Sequence, residues 1–194
     1  MWNVDIKNWN KDTQYILTID GDNKCTMDGR GFGGIHIENC SNLIIRGITF
    51  QNFNTYEGVY HPEEPACIYI TNTDNGSYKN VYINNITING QSTKTPLSGF
   101  RTRYGITVKG VSNVSIYNIM MSQIVVRPIA VSRAKIVDIH NVRFNKSTMQ
   151  AEVIGHPSIM ELGGEEIHIS DCIIDGSSYN EACIQAHNVK RIYI

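Results

Sequence analysis

The chain has 194 residues, of which 41% are hydrophobic and 18% charged, and its formal net charge is −1. That balance suits one domain able to bury a core, and it excludes the strong basic field that nucleic acid or an acidic membrane surface would need. No apolar run approaches the ~18 residues of a bilayer-spanning helix, so neither nucleic acid nor membrane is an expected partner.

The chain begins MWNVDIKNWNKD, without the apolar segment of a secretory signal. Val4 and Ile6 alternate with polar neighbours, then Leu17 and Ile19, then Cys25 and Met27. Alternation at period 2 predicts short strands with one buried face, so residues 1–33 read as an irregular first coil. Asp20, Asp22 and Asp28 crowd this segment but lack the ligand frame of a calcium site. They read as turn acids, and no metal is expected.

The stretch 34–50, GIHIENCSNLIIRGITF, sets the pattern for the regular part, 34–194. Ile35 and Ile37, Leu43 and Ile45, and Ile48 and Phe50 each alternate, but the step from Ile45 to Ile48 breaks the period. Such a break turns the next side chain to the wrong face unless the chain bends. Gly47 stands there, a residue that accepts positive φ. The phrase Leu43-x-Ile45-x-Gly47-Ile48-x-Phe50 returns from Val81, Val114, Val137 and Ile167, and starts again at Ile192. Its corner residue is Gly47, Asn85, Asn118, Asn141 or Asp171, the types that best tolerate the left-handed conformation. A further strand precedes each copy: Ile35/Ile37, Ile68/Ile70, Ile106/Val108, Ile129/Val131, Met160/Leu162 and Ile184/Ala186. The copies start at unequal intervals while their internal pattern is constant, which predicts a solenoid with its insertions on one connection. The long connections are 51–66, 89–104 and 145–158. Ile194 falls inside the last copy, so the sequence is expected to be a piece of a longer protein, truncated at its C-terminal end.

Cys25, Cys40, Cys67, Cys172 and Cys183 follow no C-x-x-C spacing, which argues against zinc. Those on adjacent coils sit at different positions around them, where bridging geometry is poor. All five are expected as free, mostly buried thiols.

These repeats resemble the right-handed parallel β-helix proteins of the pectate lyase-like superfamily. The resemblance covers about residues 15–194 and implies an all-β solenoid of about six to seven three-strand coils, forming one domain over 1–194. Asn85, Asn118 and Asn141 occupy the corner between the second and third walls, where that family often stacks asparagines. Right-handedness also follows from the twist of parallel crossovers. The resemblance further implies a secreted protein, extracellular or on the cell surface, that acts on a polysaccharide or other glycan without a cofactor.

Outward residues of the first wall form two columns. One runs His36, Tyr69, Thr107, Ala130, Glu161, Gln185, and the other Glu38, Thr71, Lys109, Ser132, Gly163, His187. Breaking a uronic acid polymer by β-elimination needs a base for the C5 proton and a cation for the carboxylate. Arg127, Lys109 and Tyr104 are the candidate catalytic residues, with Tyr104 and Arg127 on successive coils as base and neutraliser. His36, Tyr69, Arg103 and His156 are the candidate substrate-binding residues. They floor and edge a groove walled by the three long connections, with Tyr56, Tyr60, Tyr69 and Tyr104 as an exposed aromatic row. A hydrolase of the polygalacturonase type needs paired carboxylates, but Glu38 and Glu161 lie four coils apart, roughly 19 Å. The expected function is therefore a metal-independent polysaccharide lyase acting on a uronic acid-containing glycan. The alternative is a non-catalytic glycan-binding, adhesive or structural β-helix module.

Overall fold

The computed structural model describes residues 2–9, 15–29, 33–53, 66–73, 78–90, 104–124, 127–145, 158–175 and 182–194. Every regular element among them is a strand: β1 (Trp2–Lys7), β2 (Leu17–Asp28), β3 (Gly33–Glu38), β4 (Leu43–Gln51), β5 (Ala66–Thr71), β6 (Asn80–Asn89), β7 (Tyr104–Lys109), β8 (Asn113–Ser122), β9 (Arg127–Asn145), β10 (Ser158–Ser170), β11 (Ile173–Asp175), β12 (Ala182–His187) and β13 (Arg191–Tyr193). All pair in parallel within one sheet, which curls into a half-barrel of the kind a β-helix solenoid forms.

The register is the one the repeats predict. Leu43 pairs with Val81, Val81 with Val114, Val114 with Val137, Val137 with Ile167 and Ile167 with Ile192. Ile45, Ile83, Ile116, Ile139 and Ile169 form the next ladder on the same face, all buried. On the preceding wall Ile35, Ile68, Ile106, Ile129, Met160 and Ile184 stack likewise. These ladders and the third-wall residues Ile48, Ile86, Ile119 and Val142 join in one core. Each fully buried aliphatic side chain stabilises it by roughly 1.5–3 kcal/mol.

Corners keep the ladders aligned. Gly47, Asn85, Asn118, Asn141 and Asp171 all take positive φ, between 51 and 68°. Asn141 Nδ2 donates to Asn118 Oδ1 at 2.7 Å, and Asn118 Nδ2 donates to Asn85 Oδ1 at 3.1 Å. A second ladder, absent from the sequence expectations, lies before the second wall: Asn113 donates to Asn80 and Asn80 to Asn42, both at 2.9 Å. In the first coil Asp22 and Asn23 make the corner, inside a register shift between Asp20 and Cys25. The acids there have their own partners: Asp20 bonds Arg46 at 2.8 Å, Asp22 bonds Lys24 at 2.7 Å, and Asp28 accepts from Asn52 at 3.0 Å. The Arg46 guanidinium holds the Asp20 carboxyl below the usual carboxylate range.

All five cysteines are free, but only Cys40 and Cys67 are buried. Cys25 and Cys183 are exposed and Cys172 is half-buried, which corrects the expectation of mostly buried thiols. Cys25 registers with the buried Ile48, yet its strand is the last on the path through β4, so no described strand stacks beyond it.

Two outcomes follow. Asn118→Val loses two amide bonds and forces a β-branched residue into positive φ. Its unfolding free energy in urea should fall by roughly 1–3 kcal/mol; an unchanged midpoint would count against the ladder. Burial pushes the Cys67 thiol well above the ordinary range, and thiolate is the reactive form. Mass spectrometry after alkylation of the native protein should therefore show Cys25 and Cys183 modified, with Cys40 and Cys67 modified only after denaturation.

Candidate functional site

Period-2 alternation sends one side of the first wall outward, and parallel register stacks those residues strand over strand. His36, Tyr69, Thr107 and Ala130 are successive partners, as are Glu38, Thr71, Lys109 and Ser132. Both columns begin one strand earlier than expected, at Asp5 and Lys7. Asp5 Oδ1 lies 2.8 Å from His36 Nδ1. The His36 ring tilts against Tyr69 with centroids 5.4 Å apart, and Lys109 Nζ stands 5.5 Å from the Tyr69 centroid. Lys7 pairs with Glu38 at 3.3 Å. Three predicted site residues, His36, Tyr69 and Lys109, thus meet in one connected row headed by an aspartate the sequence reading passed over.

This row is not the open groove floor expected from alternation. His36, Tyr69 and Thr107 are 6%, 4% and 6% exposed. Tyr69 and Tyr104 are buried, so neither is the exposed aromatic surface envisaged for stacking on sugar rings. Tyr104 and Arg127 are register partners on adjacent strands, as expected. They open their strands at the same parity as Ile106 and Ile129, whose side chains face the core. That parity does not place them in the core, because the pleat is broken at the next position: Cys67, which follows Ala66, the partner of Tyr104, joins the core beside Ile68. Arg103, His156, Tyr56 and Tyr60, and most of the three long connections, lie outside the described residues.

The outward side opens further along the same column. Beyond Ser132 stands Gly163, and beyond it His187. Without a side chain at Gly163 the wall sinks into a recess of about 450 Å3, lined by Ser132, Arg133, Gly163, Gly164, Glu165, His187 and Asn188 among others. A register irregularity between Leu162 and Gly164 marks its floor. Lys190 bonds Glu165 at 2.8 Å and holds its carboxyl below the usual range. The sequence signal was Gly163 itself, the one glycine in either outward column.

Among family models, curated proteins and solved structures, no match to this chain is found.

The row from Asp5 to Lys109 has a structural consequence open to measurement. Truncating a buried aromatic costs roughly 3–5 kcal/mol. Tyr69→Ala should lower unfolding free energy by about that amount in a urea titration, whereas a solvent-facing tyrosine would leave it almost unmoved.

Proposed function

We propose that the chain is a right-handed parallel β-helix of six to seven coils, pectate lyase-like in architecture, and that it binds an acidic polysaccharide as a non-catalytic, exported module. One observation carries this reading. The outward side of the first wall is held in register over successive strands, and it opens at Gly163 into a recess lined by polar side chains. Neighbouring strands repeat every ~4.8 Å, close to the repeat of sugar rings in an extended chain. Such a strip suits a polymer lying along the solenoid axis. The repeat pattern and the asparagine corners support the architecture, and the strong preference of parallel crossovers for one hand supports the right-handed winding.

A second reading, a metal-independent lyase acting on a uronic acid-containing glycan, is favoured by the meeting of His36, Tyr69 and Lys109 in one row. Lys109 would neutralise the substrate carboxylate there, with His36 oriented by Asp5. Burial of the row ranks this reading second.

The two readings separate in one assay. The full chain is run through gels containing polygalacturonate, alginate or hyaluronan, and the same polymers are monitored for ultraviolet absorbance of an unsaturated product. Retardation without absorbance is the expected result. Absorbance that rises with wild type and vanishes with Lys109→Ala or Arg127→Ala would establish the lyase instead. Neither retardation nor absorbance on any polymer would remove the carbohydrate reading.

A further inference from the structure

Several corners that end first-wall strands are built from residues that accept positive φ with little strain: Asn8, Asn39, Gly110 and Asn188 all adopt it there. Arg133 holds the same corner with φ 59°. Arginine is a poor choice for this conformation, since its Cβ crowds the backbone as that of any ordinary L-residue does. Strain held at one position, when its neighbours in the stack avoid it, points to a role for the side chain.

That side chain lines the recess beside Ser132, His187 and Asn188. Among the described residues no carboxylate pairs with Arg133. The nearby carboxylates are committed elsewhere, Glu165 to Lys190 at 2.8 Å and Glu166 to Arg191 and His168. Lys135 adds positive charge near Glu165. The recess therefore presents an uncommitted guanidinium, with hydroxyl, imidazole and amide groups around it.

Gly163 supplies the space. Its φ lies outside the region reserved for glycine, and a Cβ built there would meet Ser132 Cα and Val131 O at 3.4 Å and His187 O at 3.7 Å, ordinary contact distances. The backbone does not demand glycine at this position, and its choice leaves the recess unfilled by a side chain there.

We infer that this recess binds a hexuronate unit, its carboxylate on the Arg133 guanidinium and its hydroxyls on Ser132, His187 and Asn188. The inference rests on the glycan-binding reading and specifies its acidic subsite. A guanidinium fork matches a carboxylate in two parallel hydrogen bonds, and the volume falls within the ~300–1,000 Å3 of small-ligand sites. The subsite lies where the first-wall segments end, at Ser132, Gly163 and His187.

The test uses the full chain and free glucuronate, with glucose as the neutral control, followed by NMR shifts of the His187 ring protons and the Gly163 amide. Glucuronate should shift both signals saturably and glucose should not. Arg133→Asn should weaken glucuronate by about tenfold or more, as expected for loss of a charge-assisted bidentate contact, while the melting temperature stays level or rises because the corner strain is relieved. Gly163→Phe should abolish the response by filling the recess. Absence of a glucuronate response in wild type overturns the inference, as does an Arg133→Asn variant that binds as wild type. Polymer retardation unchanged in both variants would also overturn it, while leaving the glycan-binding function standing at another surface.

Discussion

Parallel strands that bond only to the strand before and the strand after impose a single demand: each repeat must bring the same side chain to the same height. Everything else in the molecule depends on that stacking. It turns isolated isoleucines into ladders such as Ile45–Ile83–Ile116–Ile139, and it leaves no freedom for a one-residue slip, which would carry a whole ladder out of the core. Corners serve the same end. A left-handed residue at Asn85, Asn118 or Asn141 absorbs the extra residue between second and third walls, so that both walls present apolar faces to one interior.

The same constraint gathers chemistry. An outward residue on one strand necessarily sits over its counterpart on the next, which is how Asp5, His36 and Tyr69 come to form a row although they are far apart in the chain, with Lys109 reaching the Tyr69 ring from the neighbouring column. A single glycine in such a column is enough to open a recess between Ser132 and His187. Function on this scaffold is thus written by one-residue choices within a fixed lattice, and the backbone need not change to accommodate them.

Register and the conformation of the main corner were legible in the sequence, because each depends on a local pattern repeated in phase; strand boundaries were not, since β4, β6 and β8 run unbroken through corners read as strand ends and β9 spans all three walls. The second asparagine ladder was legible in principle: Asn42, Asn80 and Asn113 each stand one residue before Leu43, Val81 and Val114. Burial of His36, Tyr69 and Thr107 was not legible, since alternation tells which way a side chain points and not what lies above it. Burial of Tyr104, expected as an exposed aromatic, was hidden for the same reason. Arg133 was passed over because an arginine carries no turn signal; its significance lies in occupying a conformation the sequence gives no reason to expect.

The corner amides have a direction. Asn141 gives its hydrogen to Asn118, and Asn118 gives its own to Asn85. Reversing the middle amide alone would set oxygen against oxygen on one side and nitrogen against nitrogen on the other. The three must therefore point the same way, like aligned arrows on a line, and their dipoles polarise one another along it. Orientation in such a line is a collective property, so each coil added to the stack inherits its polarity from the coil before.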